Sequence, residues 1–149
     1  AVRPVLPSTA MPFSSRRSQI IEKALYVKKD VVEKDEKEQH LRKILNFGHT
    51  IGHAIESYYH LSEYLHGECV AFGMLYFIEK EDIKKRVLAI YDKLGIKASA
   101  PYDPDTVYGL LCNDKKAAHG SVSIVKVKEI GKAEIQDMKL EEVRVLLKG

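Results

Sequence analysis

Residues 46–56 read Asn-Phe-Gly-His-Thr-Ile-Gly-His-Ala-Ile-Glu, and ten positions beyond Glu56 stands His66, opening the run His66-Gly67-Glu68. Imidazole ligates zinc and similar divalent ions, and it is the side chain that moves protons near neutral pH. Plotted as a helix at about 100° per residue, Asn46, His49, His53 and Glu56 share one narrow arc. Ile44, Phe47, Ile51, Ile55 and Tyr58 lie opposite, so one face is core and the other a row of coordinating groups. An ordinary solvated face favours Lys and Glu, not this row. Gly48 and Gly52 each cost about 1 kcal/mol relative to Ala inside a helix. Two such positions a turn apart predict that another group approaches the backbone closely.

A catalytic zinc keeps an open position beside its protein ligands. His49 and His66 are the expected metal ligands, one on the helix and one at the start of the next element, with Gly67 leaving room for the turn. His53, one turn beyond His49, is placed to contact a substrate and to transfer a proton; the competing reading is a supporting or capping histidine. Lys28 interrupts an apolar row, where a lysine either snorkels to the edge or aims at an anionic ligand. Arg42 lies in the turn before Asn46, itself either a helix-interior residue or an N-cap. Asp114-Lys115-Lys116 follows a helix end, where lysines complement the helix dipole. Together with Lys28 and Arg42 they would instead bind a carboxylate and a phosphate.

Several elements must position these groups. Residues 1–15 hold Pro4, Pro7 and Pro12 without periodicity and read as a leader, linker or tag. From Arg16 to Lys34 two apolar rows, Ile20-Ala24-Val27-Val31 and Ile21-Leu25-Val32, predict an amphipathic helix. A single long helix is expected from Gly67 to Leu94, apolar all round at first and stopped by Gly95. Asp103-Pro104 restarts a helix as N-cap and first residue, ending near Asn113. Val122, Ile124, Lys126 and Lys128 alternate as a strand, residues 129–132 turn, and Ala133–Ile135 return. A last helix carries Leu140, Val143 and Leu147. The fold class is mainly α, with one small antiparallel hairpin.

The 149 residues suit one domain or part of a larger protein, with 45% apolar and 30% charged residues. A net charge of +3 without a basic, aromatic-interleaved stripe is too mild to argue for nucleic acid, so no nucleic-acid partner is expected, and a positive pocket for a small anion fits as well. The longest apolar run, Cys69–Ile78, is ten residues, too short to span a bilayer. Cys69 and Cys112 make no disulfide framework, which fits a reducing cytoplasm.

The run Lys28-Lys-Asp-Val-Val-Glu-Lys-Asp-Glu36, then Leu41-Arg42-Lys-Ile-Leu-Asn46-Phe-Gly-His49-Thr-Ile-Gly-His53-Ala-Ile-Glu56, resembles 3-dehydroquinate synthase. The likeness continues through Leu65-His66-Gly67-Glu68-Cys-Val-Ala-Phe-Gly73-Met74, Asp114-Lys115-Lys116, Gly120 and Ile130-Gly131-Lys132-Ala133. It covers residues 16–149 and implies the C-terminal helical domain of a two-domain enzyme that uses NAD and Zn2+ or Co2+. Such enzymes convert a sugar phosphate, 3-deoxy-D-arabino-heptulosonate 7-phosphate, to 3-dehydroquinate with loss of phosphate, in the shikimate pathway. The resemblance assigns the metal to His49 and His66, and substrate binding and proton handling to Lys28, Arg42, Asn46, His53 and Lys115, with Lys116 a second choice. It places NAD and a third, glutamate ligand in an N-terminal domain that this chain does not include, and implies a homodimer for the complete enzyme. No glycine precedes Gly48, so no glycine-rich phosphate loop precedes the helical part. The chain alone is therefore expected to be inactive. Competing readings are a 2-deoxy-scyllo-inosose synthase, a polyol or iron-dependent alcohol dehydrogenase, and a non-catalytic helical module.

Overall fold

The structure, a computed structural model, describes residues 13–37, 41–60, 62–113 and 120–149. They belong to two compact units, divided between Arg42 and Lys43. The first unit is built on α1 (Phe13–Lys34). Lys34 pairs with Asp30 at 2.7 Å and Lys29 with Glu33 at 3.7 Å, contacts one turn apart that support a helix from its own surface. Most of its apolar residues lie outside any core: Ile20, Ile21, Leu25, Tyr26 and Val27 are each at least 60% exposed, while Val31 is buried. The turn that follows is tied by the Asp35 carboxylate, which accepts from the Arg42 backbone N–H at 3.0 Å.

The second unit holds the core. A 3-10 turn (Leu41–Asn46) runs across the division into this unit, followed by α2 (His49–Tyr58) and α3 (His66–Met74). Phe47 and Gly48 separate Asn46 from α2, so Asn46 is neither interior to the histidine helix nor its N-cap. The local reason is Gly48, whose φ of +79° stops the 3-10 turn and starts a new helix. A Cβ on Gly48 would stand 2.5 Å from the Val70 carbonyl oxygen and 2.8 Å from the Met74 nitrogen. One on Gly52 would meet Val70 Cα at 2.9 Å, and one on Gly73 would run into the Gly48 carbonyl. The close approach predicted at Gly48 and Gly52 is thus the backbone of α3. Three glycines let two helices cross almost backbone to backbone.

The long helix expected over Gly67–Leu94 is broken. After α3 come a 3-10 turn (Leu75–Phe77), an extended Ile78, and α4 (Glu81–Leu94). Ile78 bridges to Val127, and Glu79 N–H donates to the Val127 carbonyl at 3.2 Å. A strand edge has claimed two residues that helical periodicity alone would have kept. The apolar first half is buried as expected, from Cys69 to Gly73. Gly95 stops α4 with a φ of +70°. Tyr91 ties α4 to α3 by donating to the Ala71 carbonyl at 2.8 Å, and burial pushes its phenol up to about 12.

α5 (Pro104–Asn113) starts as expected, with Thr106 N–H donating to the Asp103 carboxylate at 2.8 Å. β1 (Ser121–Glu129) and β2 (Lys132–Lys139) pair antiparallel from Ser121↔Lys139 to Glu129↔Lys132, a longer hairpin than the sequence suggests. α6 (Leu140–Lys148) closes the unit. The main core joins Ile51 and Ile55 of α2, Cys69 and Phe72 of α3, Val107 and Leu111 of α5, Val122 and Ile124 of β1, and Val143 and Leu147 of α6. Val107 and Val143 are wholly shielded from solvent. On the surface, Asp105 of α5 holds Arg144 at 2.9 Å and Lys148 at 3.1 Å, both on α6.

Candidate metal and substrate site

The α2–α3 crossing decides where the histidines stand. His49 is the first residue of α2, His53 lies one turn on, and His66 is the first residue of α3. Their ring centroids are 5.3 Å apart for His49–His53 and 5.5 Å for each of the other pairs. One ligand-capable nitrogen from each ring lies within 4.8 Å of the other two. Nitrogens bound to one tetrahedral zinc are roughly 3.4 Å apart at the usual Zn–N length, so modest side-chain rotation brings this set onto an ion. The donors suit it as well: neutral imidazoles on a half-open surface favour Zn2+ or Co2+ over the hard, oxygen-seeking cations.

The tautomers follow from the partners. His66 Nδ1 lies 3.0 Å from Glu56 Oε2, and a carboxylate can only accept, so Nδ1 carries the proton. His49 Nδ1 is 3.2 Å from the Phe47 carbonyl oxygen, which imposes the same tautomer. In the neutral form of either ring the lone pair is then on Nε2. The Glu56 side chain is only 17% exposed against 51% for His66, so the carboxylate is sheltered and fixed while the ring stays accessible. A carboxylate behind a metal-binding imidazole orients it and raises its basicity. The sequence placed Glu56 on the polar arc but gave it no role; its spacing of one helical turn from His53 was the available signal.

Glu68 does something different. Its carboxylate accepts from the Leu65 backbone N–H at 2.9 Å, holding the first turn of α3 in which His66 sits. Gly67 lies in that turn with nothing near its Cβ position, so the room attributed to it is not what the turn uses. Cys69, one turn beyond His66, is 1% exposed, and its thiol is pushed up by burial and then by the charges of Glu56 and Glu68. Such a thiol is a packing group and not a ligand.

His53 also lines a cleft of about 200 Å³ between α2 and α5, with Thr50, Ala54, Ser57, Leu110, Leu111 and Asn113. The Thr50 hydroxyl donates to the Ser123 carbonyl at 3.2 Å, joining this edge of α2 to β1. Asn46 is half-buried in the 3-10 turn. Lys28 is exposed on α1 and Arg42 is partly covered, its Nη1 donating to the Glu36 carbonyl at 3.2 Å; both belong to the first unit. The structure thus brings together His49, His53 and His66. Lys115 and Lys116 lie outside the described residues.

This fold is shared with sugar-phosphate cyclases. A 2-deoxy-scyllo-inosose synthase, solved with carbaglucose-6-phosphate, NAD+ and Co2+, superposes with a TM-score of 0.76 at 23% identity, over 91% of this chain and 42% of its own. The 2-epi-5-epi-valiolone synthase of Streptomyces hygroscopicus, solved with NAD+ and Zn2+, gives 0.70 at 23% identity, over 87% and 39%.

Sequence narrows the class. The 3-dehydroquinate synthase C-terminal family matches residues 8–117, and the chain belongs to that family. The 3-dehydroquinate synthase of Dictyoglomus thermophilum is 43% identical over 137 residues, and that of Clostridium kluyveri 38% over 133. The matches take in 87% and 83% of this chain but only 38% and 37% of those proteins, so the chain spans little more than a third of their length.

Proposed function

We propose that the chain is the metal- and substrate-binding part of a 3-dehydroquinate synthase, acting on 3-deoxy-D-arabino-heptulosonate 7-phosphate with NAD and Zn2+ or Co2+. The observation that carries this is the gathering of His49, His53 and His66 at the α2–α3 crossing, with Nε2 of His49 and His66 left to bind an ion. His49 and His66 would hold the metal, which when bound polarises a substrate hydroxyl or carbonyl oxygen. His53, facing the α2–α5 cleft, would hydrogen-bond the substrate and take or return a proton there. Lys28, Arg42 and Lys115 would bind the carboxylate and phosphate, and Asn46 a hydroxyl. The exposed apolar residues of α1 fit a surface that the rest of the enzyme covers. NAD and a further metal ligand would come from that remainder, as would the partner of a homodimer.

The test is a chimera in which this chain replaces the matching C-terminal part of the Dictyoglomus thermophilum enzyme. Phosphate release from the heptulosonate substrate, without net NADH accumulation, is expected, and none from the isolated chain. Turnover of a hexose phosphate in its place would move the assignment to the inosose synthases. Steady accumulation of NADH would mark a dehydrogenase.

A further inference from the structure

We infer that in this chain His53 is a third protein ligand to the metal, so that the domain holds a zinc or cobalt ion by three imidazoles without any residue from elsewhere. This goes beyond the assignment of His49 and His66 to the metal and of His53 to substrate. Three observations carry it. The three rings are nearly equidistant, and a nitrogen from each comes within the same 4.8 Å. A point equidistant from the three rings is thus as near to His53 as to His49 and His66. The spacing is built into the backbone: His49 and His53 are one turn apart on α2, and the glycine crossing fixes His66 against them. Two histidines one turn apart on a helix present their nitrogens to a single ion. Finally, the carboxylate best placed to serve as a protein-borne third ligand in the same unit is already committed. Glu56 Oε2 is bonded to His66 Nδ1, and Glu68 holds the Leu65 N–H.

Three neutral ligands and an open position make a recognised catalytic zinc arrangement. They also leave the ion its full double charge, which favours an anionic oxygen in the fourth place. When the remainder of the enzyme supplies a carboxylate, His53 is released to the substrate. The same side chain would then serve the metal in the isolated domain and the proton in the assembled one.

X-ray absorption on the zinc-loaded chain counts imidazole ligands directly, and zinc calorimetry on His53→Ala, His53→Gln and His60→Ala measures what His53 contributes. Three imidazoles are expected in the wild-type chain. Both His53 variants should bind zinc at least about 100-fold more weakly, beyond the loss usual for an outer partner of a ligand, while His60→Ala, which removes a histidine past the end of α2 and outside the cluster, matches wild type. Far-UV circular dichroism checks that the variants are folded, and His53→Gln keeps a polar side chain of similar reach should the alanine perturb α2. Two imidazoles, with wild-type affinity in both His53 variants, would overturn the inference and leave the His49–His66 site standing. Absence of zinc binding by the wild-type chain would overturn it too, without bearing on the assembled enzyme.

Discussion

Replacing Gly52 with Ala sets two well-characterised effects against each other, and the structure decides the sign. In a helix interior Ala is preferred over Gly by about 1 kcal/mol, so the exchange would ordinarily stabilise. Here the new methyl would sit 2.9 Å from Val70 Cα and 3.0 Å from the Cys69 carbonyl oxygen. Both are backbone atoms of α3, and neither can rotate away. Overpacking of this kind costs about 1–3 kcal/mol, and against rigid backbone the upper part of that range applies. The net expectation is a loss of roughly 1–2 kcal/mol after the propensity gain is subtracted. Gly109 in α5 is the internal control. It too is helical, but nothing lies within 4 Å of its Cβ position, so Gly109→Ala should stabilise by about 0.5–1 kcal/mol. Urea unfolding followed at 222 nm resolves the difference: with an m-value of about 1.5 kcal/mol/M, Gly52→Ala moves the midpoint down by roughly 1 M. Because α2 and α3 carry the histidines, the same variant should bind zinc more weakly. Equal stability gains in the two variants would refute the backbone-to-backbone crossing.

Glu56→Gln keeps the shape of the carboxylate but can present an amide donor to His66 Nδ1, so zinc affinity should fall about 10–100-fold; unchanged affinity would show that His66 is oriented without Glu56. Cys112 is exposed and Cys69 buried with a raised thiol, so a thiol reagent should titrate one group in the native chain and two in denaturant. Two fast equivalents would place Cys69 at the surface. The Arg144 and Lys148 partners hold the Asp105 carboxyl below its ordinary value. A depressed carboxyl contributes stability above its unfolded pKa and loses it as pH falls through the folded one. Asp105→Asn should therefore lower Tm at neutral pH, and the gap should close as pH falls below the ordinary carboxyl range; a gap that persists in strong acid would assign the effect to packing.

Much of the fold was legible because local signals and tertiary demands agree. The Asp103-Pro104 restart, the Gly95 stop and the alternating hairpin stand where the sequence places them, to within a few residues, whereas α1 forms on its local pattern with most of its apolar rows exposed. Where a distant partner competes, local periodicity fails. Ile78 and Glu79 look helical, and only β1, almost fifty residues later, draws them into extended backbone. Asn46 follows the helical arc in sequence, yet a left-handed Gly48 detaches it from α2. The site reads in the same way. His49, His53 and His66 were visible as residue types, and the glycines announced a close approach. That the approach is α3, and that Glu56 backs His66, depends on a crossing geometry that no single helix encodes.

The most direct test of the metal reading is zinc calorimetry on this chain and on His66→Ala, at neutral pH. One-to-one binding that is lost in His66→Ala is expected if the domain carries the metal site at the α2–α3 crossing. Equal binding by the two chains would remove His66 from the site and contradict the reading.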